Sequence, residues 1–175
     1  MHNFIWLIAT AVLTLGLPIA SLAQDDRKTG VAYSRYDKSK NETTIEAQRL
    51  EVGKTSDQQF VLNAAVVVPG EKLVRRPDDV MLIIQIVSPS YRYPDVMDVK
   101  LRVDGNKMSP IKMVTLDRRA SDKLFVETIG TRIPYSSFKS LAMAKEVEFA
   151  VDKTTITVGP AHLTILADLD KMLNP

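Results

Sequence analysis

The chain reads as a mainly β (α+β) protein: an antiparallel β-sandwich or curled sheet with two short C-terminal helices packed on it. Three observations carry that expectation. Runs of alternating or β-branched residues of strand length recur between residues 31 and 133, separated by turn residues. The stretch 97–103 puts Met97, Val99, Leu101 and Val103 on one face and Asp98, Lys100 and Arg102 on the other, so one side of the sheet meets water. Helical spacing begins only after Pro134, in two segments that each carry a single apolar stripe and must lie on the sheet.

The N-terminal element is set apart by charge. Residues 1–23 contain no Asp, Glu, Lys or Arg, so all 23 basic and 21 acidic side chains fall in the remainder. Residues 4–17 are almost wholly apolar, Pro18 interrupts them, and Ser21 and Ala23 supply small residues where a signal peptidase reads. The segment 1–23 is therefore expected to be a secretory signal peptide cut after Ala23. An uncleaved N-terminal membrane anchor is the alternative, because residues 4–23 are about long enough to span a bilayer. A polar linker, 24–29, leads to a single β-rich domain, 30–175, of a size that forms its own core. With the leader removed the product is expected to be periplasmic or extracellular, with no stable membrane insertion.

Within the domain, 31–36 and 43–52 flank the turn-rich Asp37-Lys38-Ser39-Lys40-Asn41, a hairpin signature. A β-branched run, 59–68, stops at Pro69-Gly70. The continuous apolar run 80–87, VMLIIQIV, has the length of a central strand covered on both faces. After the alternating strand 97–103, Asp104-Gly105 is a hairpin turn into a strand at 108–116, and 124–133 follows a turn at 120–123. Pro134 suits the first turn of a helix whose Phe138, Leu141, Ala142 and Lys145 share one face. A second hairpin, 146–151 and 154–158, turns at Asp152-Lys153. Gly159-Pro160 then opens a final helix with Leu163, Leu166, Leu169 and Leu173 on one stripe.

Two stretches carry a resemblance. SRYDKSKNETTIEAQRLEV (34–52) and IPYSSFKSLAMAKEVEFAVDKTTITVGPAHLTILADL (133–169) resemble uncharacterised bacterial exported proteins in which a "YDK, turn, TT" hairpin opens the domain and a helix–hairpin–helix unit closes it. The resemblance implies export and a mostly β fold. It brings no functional residue with it.

Composition excludes several chemistries. There is no Cys, and the one Trp and one of the two His lie in the leader, which leaves His162. Cys nucleophiles, disulfides and Cys or His-cluster zinc sites are ruled out, and a Ser-His-Asp arrangement has one possible base. No cofactor is expected. A formal net charge of +2 argues against nucleic acid as a partner. His162 falls at the first turn of the final helix, where a surface or capping role is ordinary. Paired carboxylates suited to a glycan hydrolase are available at Asp78-Asp79, at Asp95 and Asp98, and at Glu146 and Glu148.

Basic loops are the remaining signal. Lys72, Arg75 and Arg76 follow Pro69-Gly70, Arg118 and Arg119 end another strand, and Arg35, Lys38 and Lys40 mark the first hairpin. Converging at one end of the sheet, they would form a site for phosphate, acidic glycans or head groups through the Arg fork. Tyr91 and Tyr93 are placed to stack on a sugar; the plainer alternative is a loop packing its rings on the sheet end. The candidate ligand-binding residues are therefore Arg75, Arg76, Arg118, Arg119, Tyr91 and Tyr93. The expected function is a non-catalytic binding or structural module of the cell envelope, with an envelope protein, a glycan or an anionic ligand as partner. A carboxylate-dependent glycan hydrolase and an anionic-ligand carrier are the alternatives, the carrier being marked by a cavity of about 300 Å³ or more.

Overall fold

The structure is a computed structural model that describes residues 30–121 and 123–175. The expected signal peptide, its cleavage point after Ala23 and the linker 24–29 lie outside the described residues. Ten strands form one antiparallel sheet. In chain order they are β1 (Val31–Asp37), β2 (Glu42–Lys54), β3 (Gln59–Pro69), β4 (Asp79–Ser88), β5 (Val96–Val103), β6 (Asn106–Lys107), β7 (Ile111–Ser121), β8 (Leu124–Pro134), β9 (Val147–Val151) and β10 (Thr154–Val158). Helix α1 (Tyr135–Ala142) lies between β8 and β9, and α2 (Pro160–Met172) follows β10. The strands neighbour one another in the order β1-β2-β3-β4-β8-β7-β5-β9-β10, with β6 paired to β5.

Of the two expected architectures, the curled sheet is the one formed. The sheet bends into a half-barrel whose concave face holds Ile45, Leu50, Phe60, Leu62, Leu82, Ile84, Ile86, Val99, Met113, Ile129 and Phe149 in one core with both helices. Phe138 and Leu141 of α1 and Leu163, Leu166, Leu169 and Leu173 of α2 are buried against it. Each such side chain removed from water contributes about 1.5–3 kcal/mol. Strand β4 is central, between β3 and β8, and is buried on both faces as its unbroken apolar run predicts: Leu82 and Ile86 point inward, Ile83 outward, all almost inaccessible.

Local backbone features set which residues face the core. In β2, Ile45 and Ala47 face inward at odd positions, whereas Leu50 and Val52 do so at even ones. A bulge between Ala47 and Leu50 makes that switch, with Arg49 in the left-handed region at φ 59° and its amide donating to Asn63 Oδ1 at 2.9 Å. Further along, Gly53 lies where the curl brings β2 against β10. A Cβ there would approach Ile156 Cγ2 to 2.9 Å. The Asp104-Gly105 turn has both residues at positive φ, 49° and 77°, as a two-residue hairpin requires.

Two boundaries differ from the sequence expectation. The expected strand at 108–116 divides into β6 and β7 around Pro110, which has no N–H for the ladder, and β7 then runs on to Ser121. Helix α1 ends at Ala142, short of Lys145. Asp104 Oδ1 accepts the amides of Lys145 and Glu146 at 2.8 and 3.0 Å, which takes those two residues out of the helix. At the other end of α1, the Tyr135 hydroxyl donates to buried Asp170 of α2, and Asn174 Nδ2 donates to the Tyr135 hydroxyl at 2.7 Å, so the helices are tied together as a pair.

If Gly53 sets how closely the half-barrel curls, Gly53→Val forces β10 away from β2 and destabilises the fold by about 1–3 kcal/mol, the usual cost of overpacking. Urea unfolding measures it, and an unchanged midpoint would show that the β2–β10 approach has slack.

Candidate functional site

The hydrogen-bonded pair β4–β8 defines two ends of the sheet, Asp79 opposite Pro134 at one and Ser88 opposite Phe125 at the other. At about 3.3 Å per residue they are roughly 30 Å apart. The basic residues divide between them. Arg75 and Arg76, with Lys72, Arg35 and the β1–β2 turn carrying Lys38 and Lys40, occupy the Asp79 end. Arg118 and Arg119, with Tyr91 and Tyr93, occupy the Ser88 end. The six candidate residues therefore belong to two places rather than one.

At the Ser88 end the cations are held by the chain's own acids. Arg118 Nη1 pairs with Asp95 Oδ1 at 2.7 Å, and its Nε lies 3.4 Å from Glu127 Oε1. Asp95 holds the Arg118 guanidinium pKa above its ordinary value. Buried Glu127 also accepts the amides of Arg92 and Tyr93 at 2.9 and 3.3 Å, which fixes the loop before β5. Arg92 Nη2 pairs with Asp57 Oδ2 at 2.6 Å, lowering the Asp57 carboxyl pKa, and Arg119 pairs with Asp117. The Tyr91 ring stands edge-on to Phe125 at 4.6 Å, and Tyr93 is buried with its hydroxyl accepting from Gln58 Nε2 at 2.7 Å. Both rings pack on the sheet end.

The Asp79 end is different. The segment 70–78 is fastened at both sides, by the Gly70 amide donating to the Asn41 carbonyl at 2.7 Å and the Tyr135 amide donating to the Asp78 carbonyl at 2.8 Å. Thr43 Oγ1 donates to the Gly70 carbonyl at 2.7 Å, Leu73 packs on the core, and the Arg76 guanidinium lies 5.1 Å from the centre of the Tyr135 ring. Between this segment and the strands lies a cleft of 510 Å³, lined by Ala65, Val67, Met81 and Ile83 together with Arg35, Lys72, Arg75, Arg76 and Arg132. Among the described residues Arg35, Lys72, Arg75 and Arg132 make no ion pair. Guanidinium groups without a carboxylate partner beside an apolar floor suit an anion on an apolar body.

Glu46 was not singled out by the sequence, and it also lines this cleft. It is only 1% exposed, and its Oε1 has no hydrogen-bond partner. Burial and the hydrogen bond to Glu46 push the Tyr33 hydroxyl up to about 12, so that hydroxyl keeps its proton. In the sequence Glu46 stands at an outward position of an alternating strand, which reads as a solvated side chain. Arg132, also unmarked by any motif, is brought to the cleft by the pairing of Met81 with Arg132.

A second cleft, 600 Å³, lies on β5, β6, β9 and β10, where Arg102 and Glu148 pair at 3.6 Å. It is larger but lacks any unpartnered buried polar atom among its lining residues. Of the carboxylates considered for hydrolysis, Asp78 and Asp79 line the first cleft and Glu148 lines the second. Asp98 is four residues along β5 from Arg102, the register partner of Glu148, which puts it roughly 13 Å from Glu148, beyond the separation used by paired-acid glycosidases. Asp79 is three strand spacings from β5, roughly 14 Å. Among the described residues no group of three His, Cys, Asp or Glu is placed to hold a metal ion, and no helix is long and apolar enough to cross a membrane. In comparisons with known proteins the chain matches no family model, no curated protein and no solved structure.

His162 stands in the first turn of α2, half-buried, with Nδ1 buried and unpartnered. Burial lowers its pKa below the ordinary 6.5, opposed by nearby Glu51. The unfolded chain therefore binds this proton more readily than the folded one. The His162 contribution to stability is complete above pH 6.5 and is lost as pH falls from there towards the lower folded pKa. Thermal melts between pH 7.5 and 5 are expected to show a decline that His162→Gln removes. An identical decline in the variant would assign it elsewhere.

Proposed function

We propose that this chain is an exported, non-catalytic binding module of the cell envelope that takes an anionic ligand in the cleft beside residues 70–78. One observation carries the reading. The 510 Å³ cleft falls within the size range of small-molecule sites, about 300–1,000 Å³, and holds four cationic side chains that make no ion pair among the described residues, while those at the opposite sheet end are paired. Export is supported by the charge-free apolar leader with small residues at Ser21 and Ala23, and by the likeness to bacterial exported proteins.

Two outcomes check the proposal. The mature protein is expected to begin at Gln24, whereas an amino terminus at Met1 would point to the anchor. Arg75→Ala with Arg76→Ala is expected to weaken binding to an anionic array about tenfold or more, since a hydrogen bond to a charged group contributes about 1.5–3 kcal/mol. Arg118→Ala with Arg119→Ala serves as the control and should leave binding unchanged. Undiminished binding by the Arg75/Arg76 variant removes the cleft from consideration.

A further inference from the structure

The cleft is not simply cationic. Its lining carries four acidic side chains, Glu42, Glu46, Asp78 and Asp79, beside the five basic ones. Glu46 differs from the other three because it is almost fully buried and one carboxyl oxygen is unsatisfied. A buried polar atom without a partner is uncommon in native proteins and costs about 1–3 kcal/mol, more for a charged group.

Strand register shows which residues share a row with Glu46. Tyr33 is opposite Glu46, Glu46 opposite Ala65, Ala65 opposite Met81 and Met81 opposite Arg132, a single row across five neighbouring strands. Between the acid on β2 and the cation on β8 stand only a methyl group and an unbranched thioether. Three strand spacings separate the backbones of Glu46 and Arg132, roughly 14 Å, and both residues line the cleft. The row is thus an apolar trough with a hydrogen-bond acceptor at one end and a guanidinium at the other.

Resting on the reading of this cleft as an anion-binding site, we propose that its ligand is a small zwitterionic amphiphile. Its ammonium group donates to Glu46 Oε1, its short apolar body lies over Ala65 and Met81, and its acid group is held by Arg132. An ammonium donates to the orphaned carboxyl oxygen and so satisfies it. A simple anion leaves that oxygen unpartnered.

The test uses three probes with the same six-carbon chain on the full chain, followed by calorimetry: 6-aminohexyl phosphate, hexyl phosphate and hexylamine. The zwitterion is expected to bind at least tenfold more tightly than either half-probe. Glu46→Gln should erase that advantage while leaving hexyl phosphate within twofold, and Arg132→Gln should weaken both phosphate-bearing probes. Ala65→Leu, which fills the trough, should abolish binding of all three. The ranking of the probes on the unmodified chain stands whether or not Glu46→Gln folds. Hexyl phosphate binding as tightly as the zwitterion overturns this inference and leaves the anion site standing. Failure of all three probes overturns both.

Discussion

Burial of the α2 leucines in the concave face of the sheet is the contact on which the rest of the molecule depends. An antiparallel sheet of ten strands has an apolar inner face too large to leave in water, and its own curl does not close it, because β1 and β10 remain edges. Helix α2 reaches β1 and β2 from one side while α1 reaches β4 and β8 from the other, so the pair bridges strands that are distant in the sheet order. Their union at Tyr135, Asp170 and Asn174 makes the two helices one lid. The same union fixes the Asp79 end: the Tyr135 amide holds Asp78, and the Tyr135 ring lies beneath Arg76.

From that anchoring follows the contrast between the sheet ends. At the Ser88 end, Asp57, Asp95, Asp117 and Glu127 take up Arg92, Arg118 and Arg119, and a charge network holds loops together. Such a network is structural because each donor is already committed. At the Asp79 end the segment 70–78 is held by backbone hydrogen bonds and apolar contact instead, which leaves Lys72 and Arg75 without an ion pair among the described residues, beside an apolar floor. Rigid walls with unpaired charge bind at lower entropic cost than loops that must order first.

Strands were legible where one face is apolar and the other polar, as in 97–103, and where the run is wholly apolar, as in β4. The helices were legible from Pro134, Gly159-Pro160 and the leucine stripe, since Pro at the first helical position is already in helical geometry. What escaped was set by contacts remote in sequence. Nothing near Lys145 shows that Asp104 will capture its amide, and nothing near Arg49 shows that Asn63 will support a bulge there. The site was half legible. Clustered Arg75 and Arg76 stand out, whereas Glu46 and Arg132, isolated charges on alternating strands, acquire meaning only once register sets them in one row with Ala65 and Met81.

The sequence by itself determined the fold class, the order of elements and the chemistries that an absence of Cys and a single domain His rule out, because these rest on composition and local periodicity. Tertiary structure alone decided that the sheet curls rather than splits into a sandwich, that the basic loops part to opposite ends, and that buried Glu46 and Arg132 fall in one row beside the same cleft. Each of these depends on which strands pair and in what register, and pairing is set by the summed burial of the whole inner face rather than by any short stretch of chain.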